Sequence, residues 1–263
     1  MDLGLRGKVA LVAAASKGLG RAVAEELAAE GAKLAICSRD AEAIEAVGRE
    51  IAGAAGVEVL AKACDVSRPA EIGAFVEATL ERYGRVDILL TNSGGPPAGK
   101  FESMDANEWR AATELVLYGP IELTRRVLPG MKERRWGRIL NVTSIAVKQP
   151  VENLMLSNSL RAAVTGWART LADEVGTFGV TVNNLMPGYT RTERVEELSK
   201  VVAKHERISP EKAVARWERE IPLGRLAEPR EFAALAAFLA SERASYITGQ
   251  TIAVDGGWIK SLL

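Results

Sequence analysis

Seven residues near the start of the chain, Ala14-Ala15-Ser16-Lys17-Gly18-Leu19-Gly20, link an apolar run at 8–13 to an Ala- and Glu-rich run at 19–29. This is the pattern of a strand, a glycine-containing loop and a helix. Missing Cβ atoms let the backbone approach an anion closely, and the helix start offers free N–H groups and positive potential. The chemistry on offer is a grip on a diphosphate. Two cations extend it: Lys17 lies inside the loop, and Arg39 stands just past the next apolar run at 33–37. A site for an unphosphorylated dinucleotide would present an acid there, to the ribose hydroxyls. An arginine instead matches a phosphate with two donors. Asp40 is the nearest acid, one residue on. The pair predicts NADP(H) over NAD(H).

Other reactive residue types are sparse. His205 is the only histidine, so neither a Ser-His-Asp triad nor a multi-histidine metal site is expected. Cys37 and Cys64 have no metal-type spacing and read as reduced, buried small hydrophobes. Trp109, Trp136, Trp167, Trp217 and Trp258 read as packing or flap anchors, and His205 as a solvated residue.

The elements that must hold these groups follow from periodicity. Short apolar runs at 8–13, 33–37, 57–61, 86–90, 138–142, 180–185 and 251–254 alternate with helical runs at 19–29, 41–54, 69–83, 107–134, 151–177 and 229–239. Gly31 should stop the first helix, Pro69 suits a first turn, and Gly119-Pro120 should kink the long fourth helix. Continuous apolar strands alternating with helices imply a parallel sheet covered on both faces. Right-handed crossovers then make it a doubly wound, Rossmann-type α/β fold in a single domain. Residues 190–225, rich in Glu, Lys and Arg, read as a helical flap over the strand ends. The 263 residues are 48% hydrophobic, enough for a real core, with 34 basic and 34 acidic residues. Zero net charge without like-charge runs argues against a nucleic-acid partner. The longest apolar run, 232–240, is too short to span a bilayer, and the start lacks a signal pattern, so a cytoplasmic protein is expected.

Further motifs make the chain resemble the short-chain dehydrogenase/reductase family, and within it the 3-oxoacyl carrier-protein reductases. The family's T-G-x-x-x-G-x-G lies over 13–20, with Ala13 and Ala14 in place of Thr and the first Gly. Its adenine-contacting Asp falls on Asp65, followed by Val66. Its N-N-A-G falls on Thr91-Asn92-Ser93-Gly94, keeping Asn92 and Gly94. Its P-G-x-x-x-T is complete in Pro187-Gly188-Tyr189-Thr190-Arg191-Thr192, which the resemblance assigns to the nicotinamide carboxamide. Tyr246-Ile247-Thr248-Gly249-Gln250 and Val254-Asp255-Gly256-Gly257 close the likeness. The implied cofactor set is thus Ser16, Lys17, Gly18, Leu19, Gly20, Arg39, Asp65, Val66, Asn92, Gly94, Pro187, Gly188, Thr190 and Thr192. Ala14 costs more than Gly where φ is positive, so the loop must adopt a shape alanine tolerates or bind more weakly.

The resemblance fails at the catalytic positions. The family uses Asn, Ser, Tyr and Lys: a tyrosine acidified by lysine gives a proton to the oxygen of a carbonyl that receives hydride. Ser144 fits the family's Ser. The Tyr-x-x-x-Lys pair falls on Ser157 and Arg161, and the Asn on Val116. No tyrosine lies between Tyr118 and Tyr189, and no lysine between Lys148 and Lys200, so no shift restores the pair. Ser144, Ser157 and Arg161 are the candidate catalytic residues. Ser157 could position a water, Arg161 could bond ribose hydroxyls and stabilise an oxyanion, and Tyr189 or Tyr118 could donate a proton from elsewhere. The expected function is NADP(H)-dependent oxidoreduction of a small carbonyl or alcohol by a non-standard proton route. A non-catalytic NADP(H)-binding protein is the alternative. A halohydrin-dehalogenase-like reaction is a third reading, motivated by Arg161 but opposed by the retained glycine loop. The family also implies a homodimer or homotetramer, with the Ala-rich stretch 162–172 suited to close helix packing.

Overall fold

The computed structural model describes residues 2–262. Its strands are β1 (Val9–Val12), β2 (Lys33–Ser38), β3 (Val59–Ala63), β4 (Ile88–Thr91), β5 (Gly137–Val142), β6 (Val180–Pro187) and β7 (Thr251–Val254). They form one parallel sheet in the order β3-β2-β1-β4-β5-β6-β7. The helices are α1 (Gly18–Ala29), α2 (Ala41–Ala55), α3 (Pro69–Tyr83), α4 (Ala106–Thr113), α5 (Gly119–Glu133), α6 (Met155–Val175), α7 (Glu193–Glu206), α8 (Pro210–Glu220) and α9 (Pro229–Ala240). The strand order reverses between β1 and β4, which opens a crevice at the carboxyl ends of the strands.

Alternation within the strands builds two cores. Ala10 and Val12 face one side, where α1, α2 and α9 contribute Val23, Leu27, Ile44, Ile51 and Phe232. Leu11 and Ala13 face the other, against Phe75 of α3, Leu123 and Met131 of α5, and Leu171 of α6. Both strand faces are therefore apolar, as a sheet sandwiched between helices requires. Local signals set the helix ends. Asp40 caps α2 by accepting from the Ala43 N–H at 3.0 Å, and Gly56 ends it with left-handed backbone. Gly31 follows α1 at φ +83°, and Pro69 sits in the first turn of α3.

Four sequence expectations shift. The third strand begins at Val59 rather than 57, and the fourth at Ile88 rather than 86. The helix expected over 151–177 starts only at Met155, because 145–147 form a short 3-10 turn and the chain stays irregular up to Leu154. The helix expected over 107–134 divides into α4, a π-helical turn at Glu114–Tyr118, and α5. Pro120 has no N–H for the carbonyl of Val116, and the widened turn absorbs that loss just before the Gly119-Pro120 pair. The same turn buries Val116 among Ala112, Leu156 and Leu160. Val116, the position that the resemblance gives to the family's asparagine, is thus part of an apolar cluster.

At the opposite, amino-terminal edge of the sheet, Asp87 is fully buried. Its carboxylate accepts from the Val9 N–H at 2.9 Å and from two nitrogens of Arg85 at 2.8 and 2.6 Å, tying β1 to the approach to β4. Asp87→Ala leaves those donors unmatched and should cost about 3 kcal/mol of stability. Urea unfolding checks this: the midpoint should fall with an unchanged m-value.

Candidate active site

A cavity of about 950 Å³ runs along the carboxyl ends of the central strands. That size suits a bound cofactor together with a small partner molecule. Of the residues expected from sequence, Ser16, Lys17, Gly18, Leu19, Arg39, Asp65, Val66, Asn92, Gly94, Ser144, Ser157, Arg161, Pro187, Gly188, Thr190 and Thr192 all line it. Gly20 does not. A Cβ on Gly20 would stand 2.3 Å from the Ala14 carbonyl oxygen, so this glycine lets α1 pack against the loop rather than making room for a ligand.

The loop after β1 is held from below. Asn92, just past β4, donates to the Ala14 carbonyl at 3.4 Å, and the Ala15 N–H donates to Cys37 of β2 at 2.9 Å. Ala14 itself adopts φ +50°, the left-handed conformation that its side chain disfavours. Ala14→Gly should relieve that strain. With glycine's greater unfolded-state entropy offset, the net gain is about 0.5–1 kcal/mol. Thermal unfolding, read beside a dinucleotide titration, should show a higher midpoint and tighter binding, since Ala14 also lines the cavity.

At one end lie the charges expected to meet a phosphate. Lys17 is hydrogen-bonded to Glu193 in the first turn of α7, a contact that raises its pKa and ties the loop to the flap. Both groups are solvent-exposed, so the pair is weak and open to exchange with a ligand. Arg39 is exposed at the cavity edge, and its charge acts on both Lys17 and Asp65. Burial opposes charge on Asp65. The Ser67 N–H and hydroxyl at 2.9 and 2.8 Å, with Arg39 and Arg68 nearby, nevertheless hold it below the usual carboxylate range. Asp40 is committed to capping α2. The arrangement fits a dinucleotide carrying an extra phosphate: a cradle of backbone at Ser16–Leu19, flanked by cations.

At the other end lie Ser144, Ser157 and Arg161. Ser144 follows β5, and its Oγ accepts from the Ala146 N–H at 3.1 Å, which leaves its proton free to donate. Ser157 and Arg161 are one turn apart on α6 and both only 8% exposed. The Ser157 hydroxyl has no hydrogen-bond partner among the described residues. Asn158 steadies this turn of α6, donating to the Val151 carbonyl at 3.0 Å.

Arg161 does more than its sequence position suggested. Its guanidinium donates to the Val142 carbonyl at 2.6 Å and the Gly94 carbonyl at 2.5 Å, bridging the ends of β5 and β4. Burial, together with the nearby Arg194 charge, pushes it down to about 10, so it remains charged at neutral pH. The two tyrosines considered as donors are corrected. Tyr118 is 53% exposed, in the π-helical turn, and does not line the cavity. Tyr189 lines it, but stacks on Trp217 at 4.7 Å and meets Trp258 edge-on at 5.8 Å. Burial pushes its hydroxyl up to about 12, making it a weaker acid than free tyrosine. It joins the segment after β6 to α8 and to the residues after β7 through the two tryptophans.

Sequence reasoning missed Arg194. This residue of α7 donates to the Pro96 carbonyl at 2.8 Å and lies beside Gly95, lining the cavity close to Arg161. The flap carries several arginines, and only its packing shows which one turns inward.

A parallel sheet with a phosphate cradle after its first strand and a polar cluster after its fifth defines a dinucleotide-binding Rossmann protein. Comparison with known proteins narrows this. A family model described as Enoyl-(Acyl carrier protein) reductase matches residues 13–259. The 3-oxoacyl-(acyl-carrier-protein) reductase FabG of Vibrio cholerae is 36% identical over 255 residues, covering 97% of this chain and 98% of its own. The NADPH-dependent reductase BacG of Bacillus subtilis is 33% identical over 256 residues, covering 97% and 99%. The structure of L-sorbose reductase from Gluconobacter frateurii, complexed with NADPH and L-sorbose, is similar at a TM-score of 0.95 and 33% identity, covering 100% of each chain. The chain belongs to the short-chain dehydrogenase/reductase family.

Proposed function

We propose that this protein is an NADP(H)-dependent reductase of small carbonyl compounds that works without the family's tyrosine. The observation that carries this is one continuous cavity, with Lys17 and Arg39 at one end and Ser144, Ser157 and Arg161 at the other. Its relatives include NADPH-dependent reductases, which favours the same cofactor. The residues suited to holding it are Ser16 to Leu19 at the diphosphate, Arg39 and Lys17 at the extra phosphate, Asp65 and Val66 at the adenine, and Pro187 to Thr192 at the nicotinamide. When bound, NADPH supplies hydride to the carbonyl carbon, and the oxygen takes up one proton to give the alcohol.

The chain's own groups act on that oxygen. Ser144 donates a hydrogen bond to it, its own Oγ being engaged by the Ala146 N–H. The buried Arg161 charge stabilises negative charge developing nearby, where low polarity strengthens the interaction. Ser157 is too weak an acid to replace tyrosine. Its hydroxyl holds a water that carries the proton in, occupying the space a tyrosine ring would fill.

The test is NADPH consumption by purified protein across ketones, aldehydes and oxo acids. Turnover with at least one class, lost in Ser144→Ala, supports the reading. Saturable NADPH binding without turnover on any of them would replace it with the binding-only alternative. We also propose a homo-oligomer through the outer face of α6, where Ala162, Ala163 and Gly166 are exposed. A sedimentation mass of one chain would contradict that. Among the described residues, no helix is long and apolar enough to cross a membrane.

A further inference from the structure

Arg161 is a buried cation without an anion. No carboxylate pairs with it among the described residues, and its only polar contacts are two neutral carbonyls, Val142 and Gly94. The one charge acting on it is that of Arg194, which is also positive. Arg194 contacts the same loop two residues on, at the Pro96 carbonyl, and the acid that pairs with it among the described residues is the exposed Glu197 of α7, 3.7 Å away.

The three acids that line the cavity are committed elsewhere. Glu193 is turned to Lys17, Asp40 caps α2, and Asp65 faces Ser67 and Arg39. Two cations thus converge on the reaction end of a cavity: the buried Arg161, which no acid among the described residues neutralises, and Arg194, whose pairing with Glu197 is long and solvent-exposed. A charge kept nine-tenths buried without a partner is costly, and a site tolerates it where a ligand brings the counter-ion. Ser157 adds an unpartnered hydroxyl on the same face, one turn before Arg161.

We propose that the substrate carries a carboxylate bound by Arg161 and Arg194, so that the reaction is reduction of an oxo acid to a hydroxy acid. This rests on the reductase reading above, in which the phosphates of the dinucleotide are met by the Ser16–Leu19 loop, Lys17 and Arg39. Arg161 spends one N–H on each carbonyl. A guanidinium has five, and the remainder match the two oxygens of a carboxylate. The surrounding wall is apolar, with Leu115, Val151 and Leu154 lining the cavity, which suits a short carbon chain better than a sugar.

The experiment measures binding calorimetrically with oxamate and levulinate, their methyl esters, and inorganic phosphate, with and without saturating NADPH. The expected result is saturable binding of an acid, with its ester about thirtyfold weaker or worse. Arg194→Gln should lose about tenfold or more of the acid's affinity, while Arg194→Lys keeps part of it. Arg194 is exposed, so both variants should fold, which urea unfolding checks. Equal binding of acid and ester, preference for phosphate, no binding of either acid, or indifference to Arg194→Gln overturns the proposal. A separate NADPH titration keeps the two readings apart. If NADPH fails to bind, the reductase reading falls, while the acid-against-ester comparison made without NADPH still decides the carboxylate site.

Discussion

Replacing Ser157 with tyrosine and Arg161 with lysine together is expected to raise NADPH-dependent reduction of simple neutral ketones by about 10²–10⁴-fold, the usual worth of a positioned general acid. Ser157 and Arg161 stand one turn apart on α6 and both line the cavity, so the new pair occupies one face. Ser144 is already in place after β5 with its hydroxyl proton free. On the proposed reading, the native site lacks a proton donor with a pKa that a neighbouring cation can bring near neutrality. The single variants separate the causes. Ser157→Tyr alone keeps a cation beside the new hydroxyl and should recover much of the gain. Arg161→Lys alone should recover none, because it trades two carbonyl tethers for one ammonium and adds no donor. Steady-state kinetics with a fixed ketone checks all three. A double variant that binds NADPH and stays as slow as the native protein would show that the space beside Ser144 is not shaped for the ring.

Arg39→Asp should reverse cofactor preference, weakening NADPH about 10²–10³-fold relative to NADH. Two features make the effect large. Arg39 is the cation at this end that no acid occupies within ion-pair distance among the described residues, whereas Lys17 is shared with Glu193. Asp40 cannot serve the ribose hydroxyls while its carboxylate caps α2, so an acid at 39 supplies the missing acceptor and also repels a phosphate. Lys17→Ala should act in the same direction and less strongly, because the native lysine must first leave Glu193. Fluorescence titration with both dinucleotides reads the ratio directly. If Arg39→Asp weakens both equally, the extra phosphate is bound elsewhere.

Much of this protein was determined by local sequence. Apolar strands, helix stops at Gly31 and Gly56, the proline in the first turn of α3 and the loop at 14–20 each depend on a few neighbouring residues. They follow from backbone preference and from which face an alternating residue turns inward. That Ser157 and Arg161 stand where the resemblance expects tyrosine and lysine was equally legible, because no tyrosine lies between Tyr118 and Tyr189 and no lysine between Lys148 and Lys200. Tertiary packing decided what the substitutes do. Arg161 is tethered to carbonyls 19 and 67 residues away, one at the end of β5 and one in the loop after β4. Tyr189 follows a motif associated with the cofactor, yet it is taken up by Trp217 and Trp258 from two later segments. Val116 turns into an apolar cluster because a π-helical turn rotates it there, and Arg194 enters the cavity because the flap folds back over the Gly94–Pro96 loop. A side chain's type is written locally, but its direction and its neighbours' charges depend on elements far apart in the chain, which only packing brings together.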